Sequence, residues 1–334
     1  SNVARFHVDL EPNLFALQRE LTDGSYRPGN YRSFHILDPK PRMISAAPYR
    51  DRVVHHALCN LIAPILESSM TNDTYANRKG MGSHAAMAKY RQYCRRYPYV
   101  LKCDVRKFFP SIDHEILKRD IRRKIGCRKT LALIEQIIDN SNPQEEHIVY
   151  FPGDDLFTPH QRRHGLPIGN LTSQLWGNFY LNRMDHFIKE TLRCKAYVRY
   201  VDDFVLLSDD KAQLHVWKSA IESFLCDYRL ILHPNKSRIH HTSEGITFLG
   251  YRVFPDFILL PSANVRRFRQ RTKKKLRLLR DKKISLKEFF LGLRGWEGHA
   301  LRADTRRLRR MLTWEIFGIW QDKKSKPPVN RKRL

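Results

Sequence analysis

Three aspartates occupy positions where the surrounding sequence predicts buried strands. Asp104 ends an apolar run at residues 99–105, and the pair Asp202 and Asp203 lies between two apolar segments that predict a tight hairpin. Carboxylates in such surroundings are unfavourable unless a cation neutralises them. Magnesium prefers hard oxygen ligands and keeps several waters, so two or three carboxylates suffice to bind it. The pattern therefore predicts a site for two Mg²⁺ ions, with Mn²⁺ as a possible substitute, that serves phosphoryl transfer.

Aspartates are also common in turns, so an Asp-Asp pair in a hairpin can be purely structural. The apolar strands on both sides of Asp202 and Asp203, together with Asp104 far upstream, favour the metal site over that alternative. A second pair, Asp209 and Asp210, follows the end of the predicted strand. We interpret this second pair as a solvated turn and a helix start.

The composition indicates a globular protein with a polyanionic partner. The 334 residues suffice for two or three subdomains, and 61 Lys and Arg against 34 Asp and Glu give a formal charge of +27. Such a charge favours nucleic acid as the partner, with an anionic membrane as the rival. No apolar run approaches the roughly 20 residues that span a bilayer. We therefore expect nucleic-acid binding and no membrane association.

The cysteines and the first residues of the chain indicate the cellular compartment in which the protein is expected. Six cysteines are scattered singly without a CxxC pair, which favours free thiols and argues against a zinc site. Residues 1–6 form neither the basic lead nor the apolar core of a secretory signal. We therefore expect a cytoplasmic protein.

Hydrophobic periodicity predicts strands and helices that alternate along the chain, which is typical of an α+β fold. The polar segment 140–164 is predicted to form a surface loop or a small hairpin. The predicted strands lie at residues 33–44, with a turn, and at 99–105, 196–208 and 246–254. The predicted helices lie at residues 51–67, 116–138, 171–188, 212–228 and, with many basic residues, 262–320.

Two motifs and their neighbours resemble those of reverse transcriptases. The sequence Tyr200-Val201-Asp202-Asp203 resembles the hallmark box of that family, and Asp104 with Phe109 resembles its first carboxylate motif. Three further segments resemble, in the family's order, the fingers segment, the lysine motif and the primer-grip hairpin; they are residues 40–54, 230–237 and 245–251. The resemblance covers roughly residues 30–320 and implies an RNA-directed DNA polymerase that uses two-metal-ion nucleotidyl transfer.

The resemblance also implies a right-hand polymerase architecture. Such a molecule has fingers, a palm of antiparallel sheet plus helices, and here a basic helical thumb. The implied boundaries are residues 1–98 for the N-terminal region and fingers, 99–260 for the palm with a fingers-associated insertion at about 128–170, 261–320 for the thumb, and 321–334 for a disordered basic tail.

The catalytic roles follow from the same resemblance. Asp104 and Asp202 would be the shared metal ligands, with Asp203 the less direct member of the pair and Val105 a further metal-binding position. Lys236 would approach the leaving pyrophosphate and protonate or stabilise it. The alternative for Lys236 is an ordinary surface lysine.

Residues that bind the incoming nucleotide are implied in the fingers and palm. Lys40 and Arg42 stand in an extended loop where they could pair with triphosphate oxygens. Arg52 stands at a helix start and could bind the same anion or pair with Asp51. The ring of Phe109 would lie under the sugar and exclude a 2′ hydroxyl, unless it is a core aromatic.

One stretch suggests which reverse transcriptase this is. Where many relatives carry Gln-Gly-x-x-x-Ser-Pro, this chain has Ile168-Gly169-x-x-x-Ser-Gln174, which resembles the enzymes of diversity-generating retroelements. That resemblance places Ile168, Gly169 and Gln174 in the nucleotide-binding pocket. It implies a template-repeat RNA, an RNA/DNA hybrid and dNTPs as ligands, misincorporation opposite adenines, and a basic pentameric partner, the accessory variability determinant. The segment 140–164 departs from compact members.

A dense basic cluster in the predicted thumb could follow a phosphate backbone. Its members are Arg266, Arg267, Arg269, Arg271, Lys273, Lys274 and Lys275. Two alternatives stay open for the whole chain. It could be another prokaryotic reverse transcriptase, from a retron, a defence system or a CRISPR locus, or a catalytically idle RNA-binding scaffold.

Overall fold

The computed structural model describes residues 2–37, 41–142 and 147–321. The chain divides into two compact units, which are described separately. The first contains Ser1–Tyr93 and Tyr97–His240, and the second contains Cys94–Arg96 and His241–Leu334. Residues 241–260, placed with the palm in the sequence analysis, thus lie in the second unit.

The described residues form an α+β structure, as predicted. The strands are β1 Arg32–Ile36, β2 Arg42–Ala46, β3 Tyr99–Asp104, β4 Ala196–Tyr200, β5 Asp203–Ser208, β6 Arg238–His241, β7 Ile246–Phe248, β8 Tyr251–Val253 and β9 Ile258–Leu259. The α-helices are α1 Asn2–Val8, α2 Leu10–Asp23, α3 Tyr49–Ser68, α4 Ser83–Cys94, α5 Phe108–Ser111, α6 His114–Arg122, α7 Arg128–Asp139, α8 Thr158–Gln161, α9 Leu171–Tyr180, α10 Asn182–His186, α11 Lys211–Asp227, α12 Ser262–Arg280, α13 Leu286–Ala300 and α14 Arg306–Gln321.

A four-stranded sheet in the order β4-β5-β3-β6 forms the centre of the first unit. Strand β5 is central, and its residues 204–207 are almost fully buried, which explains their continuous apolar character. It pairs antiparallel with β3 and with β4. In the β3–β5 register Asp104 stands directly opposite Asp203. The predicted strand at 99–105 and the hairpin at 196–208 are both confirmed.

Helices cover this sheet and enclose the main core. Eight of the ten residues of α9 are buried, because this helix packs on α3 and lies beside the aromatic pair Phe108 and Phe109. Gly177 allows that approach, since a Cβ there would lie 2.9 Å from Cε1 of Phe109. Helix α9 is therefore held close to the segment that follows Asp104.

The hairpin of β1 and β2 is joined to the turn that enters α9. The backbone N–H of Ser45 donates to the carbonyl of Ile168 at 2.9 Å. The side chain of Asn170 bridges the same two segments, because its Nδ2 donates to Ser45 O at 2.8 Å and its Oδ1 accepts from Ala47 N–H at 3.2 Å. The hairpin and the turn thus share one set of hydrogen bonds.

The second unit consists of a small sheet and three helices. Strands β7, β8 and β9 form an antiparallel sheet in that order, and α12 packs on both α13 and α14. Phe268 and Trp296 stack at 3.9 Å between α12 and α13. Ser285 caps α13 by accepting from the backbone N–H of Glu288 at 3.2 Å. The predicted basic helices at 262–320 are confirmed.

Three sequence predictions need correction or fall outside the structure. The single helix predicted at 116–138 is wrong: α6 and α7 are separate, because the chain passes Gly126 and Cys127 takes an extended backbone with ψ 112°. In the described part of the segment 140–164 no hairpin forms, and its only regular element is the short helix α8. The predicted disordered tail lies outside the described residues from residue 322 onward.

Candidate active site

The three predicted aspartates meet where β3 ends and the β4–β5 hairpin turns. Residues that stand opposite each other on antiparallel strands project from the same face of the sheet, so Asp104 and Asp203 are neighbours. Asp202 is in the two-residue turn beside them, and its carbonyl accepts from the backbone N–H of Val105 at 3.2 Å. The strand pairing thus brings together residues far apart in sequence.

Two lysines contact this acidic cluster. The ammonium of Lys236 donates to Oδ1 of Asp104 at 2.8 Å, and the ammonium of Lys102 lies 3.7 Å from Oδ1 of Asp203. Lys236 was predicted near the site, whereas Lys102 was missed. Its position two residues before Asp104 was the available signal, because alternate residues of a strand share one face.

Lys236 reaches Asp104 because its segment is tied to the end of β3. The backbone N–H of Arg106 donates to Ile231 O at 2.8 Å, and the N–H of His233 donates to Asp104 O at 2.7 Å. Ser237 adds its hydroxyl, which lies 3.4 Å from the backbone N of Asp104. The loop after α11 is therefore fixed along the strand that carries Asp104.

The surroundings of Asp202 and Asp203 disfavour their charged forms. The pKa of Asp203 is raised to about 7, mainly by burial and also by the carboxylates of Asp104 and Asp202, against the opposing effect of Lys102. Burial also raises the pKa of Asp202, with Asp104 adding to the shift, while Lys236 and Arg42 oppose it. The cluster has more negative charge than its two lysines neutralise, so it favours an added cation.

The donor set fits a hard divalent ion. Oδ1 of Asp203 is buried and accepts no hydrogen bond, and the ammonium groups of Lys236 and Lys102 already stand as cations beside two of the carboxylates. Among the described residues, however, no three acidic, histidine or cysteine side chains converge closely enough to enclose a metal ion. The carboxylates are thus assembled with only part of their charge balanced by Lys236 and Lys102, and the described residues form no closed metal cage.

Phe109 has a half-buried ring. It follows Asp104 by five residues, packs edge-on against Phe108 at 5.4 Å and covers Gly177 of α9. Its backbone carbonyl accepts from Leu166 N–H at 2.9 Å. The ring is therefore supported by core contacts and still partly exposed.

The residues predicted to indicate the subtype are in and after the turn held by the β1–β2 hairpin. Ile168 is half-buried, and Gly169 has φ +119°, where a Cβ would lie 3.0 Å from Cγ2 of Ile44. Gln174 is exposed on α9, whose neighbouring residues 172, 173 and 175 are buried. The backbone of this turn is fixed, while the Gln174 side chain is open to solvent.

The three residues predicted to bind the triphosphate, Lys40, Arg42 and Arg52, have different surroundings. Arg42 is exposed on β2 and acts electrostatically on Asp202, and Lys40 lies outside the described residues. Arg52 stands over the ring of Tyr49 at 5.5 Å. The alternative pairing of Arg52 with Asp51 is not formed. Asp51 instead accepts hydrogen bonds from the Tyr26 hydroxyl at 2.9 Å and from a backbone N–H, and it lies 3.8 Å from Arg50.

The basic cluster is on α12, in the second unit. Arg269 pairs with Glu315 of α14 at 2.9 Å, and Arg267 donates to Asn264 at 2.7 Å. Lys275 runs beneath Gly292 of α13. The exposed members of the cluster are Arg266, Arg267, Arg271, Lys273, Lys274 and Lys275.

Comparison with known proteins identifies the family. Residues 37–253, more than half of the chain, match the reverse transcriptase (RNA-dependent DNA polymerase) family. The chain belongs to the reverse transcriptase family. The prediction of an enzyme of the RNA-directed DNA polymerase class is confirmed by this membership.

Individual relatives are distant. Protein YkfC of Escherichia coli (strain K12) is 26% identical over 290 residues, which are 75% of this chain and 72% of YkfC. The group II intron-encoded protein LtrA of Lactococcus lactis subsp. cremoris is 20% identical over 309 residues, 73% of this chain and 50% of LtrA. Nuclear intron maturase 1, mitochondrial, of Arabidopsis thaliana is 26% identical over 156 residues, 41% of this chain and 22% of the maturase. The chain thus spans half or less of the last two.

The fold is similar to that of a solved polymerase structure. Apo telomerase from Candida tropicalis, truncated from its C-terminal domain, superposes with a TM-score of 0.51 at 14% identity, covering 70% of this chain and 55% of the telomerase chain. At this identity the likeness concerns the fold alone. It confirms the predicted right-hand polymerase fold.

Within the described ranges, no helix is both long enough and apolar enough to cross a bilayer.

Proposed function

We propose that this chain is an RNA-directed DNA polymerase that extends a primer on an RNA template with dNTPs. One observation carries the proposal: Asp104, Asp202 and Asp203 meet where strands β3 and β5 of the central sheet reach the catalytic turn. The negative charge of these three carboxylates is only partly balanced by neighbouring cations. The strongly basic composition, +27 overall, suits the polyanionic template and product.

The aspartates and Lys236 have different roles in the proposed reaction. Asp104, Asp202 and Asp203, with the backbone at Val105, hold two Mg²⁺ ions, for which Mn²⁺ can substitute. When bound there, the ions would supply activation of the primer 3′ hydroxyl and charge stabilisation of the leaving pyrophosphate. Lys236 contributes its positive charge on the pyrophosphate side, where it stabilises or protonates the leaving group.

The fingers residues and Phe109 hold the nucleotide. Lys40, Arg42 and Arg52 bind the triphosphate through charge-assisted hydrogen bonds. Phe109 lies under the sugar, where a half-buried ring supported by Gly177 excludes a 2′ hydroxyl.

A primer-extension assay tests this function and separates it from an idle scaffold. The purified chain is given a DNA primer annealed to RNA, dNTPs and Mg²⁺, and it should extend the primer to the template end. A chelator should stop extension, and renewed Mg²⁺ should restore it. RNA binding without any extension would contradict the proposal and favour the alternative of a catalytically idle RNA-binding scaffold.

We further propose that the chain is the polymerase of a diversity-generating retroelement. It copies a template-repeat RNA into cDNA, misincorporates opposite adenines, works with the basic pentameric accessory variability determinant and acts in the cytoplasm. Ile168, Gly169 and Gln174 support this subtype. The first lies in the turn hydrogen-bonded to Ser45, and the last points to solvent from α9.

The replacement Ile168→Gln is expected to reduce misincorporation opposite template adenine more than opposite other bases. An apolar Ile168 cannot hold a nucleotide or template base by a hydrogen bond, whereas Gln can. One such bond contributes about 1 kcal/mol, which is enough to change discrimination several-fold. Sequencing of cDNA made by both enzymes on one adenine-rich RNA measures the effect.

The matched control is Ile168→Leu, which keeps the apolar character and volume and should keep the adenine bias. Wild-type errors without an adenine bias would contradict the subtype. A bias that Ile168→Gln leaves unchanged would contradict only the role of Ile168.

The basic cluster on α12 is proposed to bind the phosphate backbone. Replacing Lys273, Lys274 and Lys275 together by Gln should reduce the slope of log affinity for RNA against log salt by about 2, because each neutralised phosphate releases counterions. Filter binding over a salt series measures that slope. The triple change of Lys124, Arg128 and Lys129 to Gln, on exposed positions of the first unit, removes the same charge and serves as control. Equal slopes of log affinity against log salt for the two variants would show that the RNA does not bind at the basic cluster on α12.

A further inference from the structure

Arg199 is a fully buried arginine one residue before the Tyr-Val-Asp-Asp turn. It lies on β4 with 0% of its side chain exposed. A buried guanidinium is unfavourable unless its five N–H donors are all satisfied. Here all five have acceptors, and one of those acceptors belongs to the turn itself.

Two residues of the helices behind the sheet orient the guanidinium. Asp185 of α10 binds it in a fork, with Nε to Oδ1 at 2.7 Å and Nη2 to Oδ2 at 2.5 Å. Asn178 of α9 accepts from Nη1 through its side-chain oxygen at 2.9 Å and from Nη2 through its carbonyl at 3.1 Å. The planar group therefore has one allowed orientation.

The remaining N–H of Arg199 is directed at the catalytic turn. Nη1 donates to the carbonyl of Val201 at 3.0 Å, while the next carbonyl, that of Asp202, accepts from Val105 at 3.2 Å. A peptide unit is planar, so holding its oxygen restrains the whole plane. The two planes that flank the Cα of Asp202 are thus both held, and together they set the direction of its carboxylate.

The turn needs such a restraint because its backbone is unfavourable for its sequence. Val201 has φ 58°, in the left-handed region that a β-branched residue rarely adopts. Conformations of this kind persist only where the surroundings impose them, and they cluster at functional sites. The hydrogen bond from Arg199 holds the peptide that follows this strained residue, and with it ψ of Val201 and φ of Asp202.

We propose that Arg199 is a positioning residue for the catalytic centre. Its guanidinium, oriented by Asp185 and Asn178, holds the peptide between Val201 and Asp202 and so directs the Asp202 carboxylate toward the metal ions. This inference rests on the proposed role of Asp202. It assigns to the Asp185–Arg199 pair a function in catalysis beyond its contribution to the core.

The test compares Arg199→Lys with wild type in steady-state extension of primed RNA. Lysine keeps a positive charge beside Asp185 but lacks the planar fork that reaches Val201. Supporting contacts of metal ligands are typically worth 10- to 100-fold in metal affinity or activity. We expect kcat to fall by roughly that factor and the Mg²⁺ concentration for half-maximal rate to rise, with KM for dNTP and RNA affinity within about twofold.

A second variant covers the case in which Arg199→Lys does not fold. The double replacement of Arg199 by Gln and Asp185 by Asn removes both charges together and leaves no unpaired buried charge. It should show the same loss of kcat and the same need for more Mg²⁺. Thermal melting confirms that each variant is folded at the assay temperature.

Tyr197→Phe is the matched control. The Tyr197 hydroxyl donates to the same Asp185 at 2.6 Å from the same strand, but it does not touch the turn. This variant should melt at a lower temperature and keep wild-type kcat and Mg²⁺ dependence. A comparable loss of kcat in Tyr197→Phe, or unchanged kinetics in a folded Arg199 variant, would overturn the proposal. An inactive wild type would instead refute the polymerase function, and activity in Asp202→Asn would refute the role of Asp202 on which this inference rests.

Discussion

Replacing Asp202 and Asp203 together by asparagine is expected to abolish DNA synthesis while RNA binding stays nearly intact. Asparagine has almost the same shape but lacks the negative charge that a metal ion needs, and metal ions contribute several kcal/mol to such reactions, a factor of roughly 10³ or more in rate. RNA affinity should come from basic residues elsewhere. Single-turnover primer extension and filter binding measure the two properties on the same protein.

The chain contains its own control for this double change. Asp209 and Asp210 follow β5, and Asp210 accepts from the N–H of Ala212 at the start of α11 at 2.7 Å. Asparagine preserves that helix cap, so the double change of Asp209 and Asp210 to Asn should leave synthesis at the wild-type rate. If the variant with Asp202 and Asp203 replaced extends the primer at nearly the wild-type rate, these two residues are not the catalytic metal ligands.

The second large effect is expected from Phe109→Ala. If the ring excludes a 2′ hydroxyl, the smaller side chain should allow ribonucleotides to compete with deoxynucleotides. The change also removes an aromatic that packs on Phe108 and Gly177, so a fall in the free energy of unfolding of up to about 3 kcal/mol is expected. Competition between dNTP and rNTP in primer extension measures the selectivity, and thermal melting measures the stability.

Phe108→Leu separates selectivity from packing. Phe108 precedes Phe109 and is 2% exposed, so it can contribute to the core but cannot touch a nucleotide. Its replacement should lower the melting temperature without changing sugar selectivity. A folded Phe109→Ala enzyme that still rejects ribonucleotides would show that Phe109 is only a core aromatic.

The strands that carry the aspartates were predictable from local sequence. The run ending at Asp104 and the two segments around Asp202 are short, mostly apolar and bounded by polar residues, as expected for strands buried in a central sheet. The pairing of Asp104 with Asp203 was not local. The family resemblance implied only that Asp104, Asp202 and Asp203 share a metal site, and the pairing itself could not be predicted because register between distant strands depends on tertiary packing.

Contacts between elements account for what the sequence analysis missed. The position of Lys102 beside Asp203 and the five hydrogen bonds of Arg199 depend on which strand and helix become neighbours. In β4, Arg199 looks like a charge at a strand surface, yet α9 and α10 bury it completely. The break at Gly126 was missed for a different reason, since one glycine within an apolar pattern often leaves a helix intact.

Direct titration of Mn²⁺ by electron paramagnetic resonance tests the central claim. The chain is assembled with primed RNA, a primer that lacks its 3′ hydroxyl and the next dNTP, so that the site is complete but cannot react. The account predicts two tightly bound Mn²⁺ ions per chain in wild type and in the Asp209 and Asp210 control, and fewer in the Asp202 and Asp203 variant. Equal numbers of bound ions in all three proteins would contradict the assignment of Asp104, Asp202 and Asp203 as the metal site.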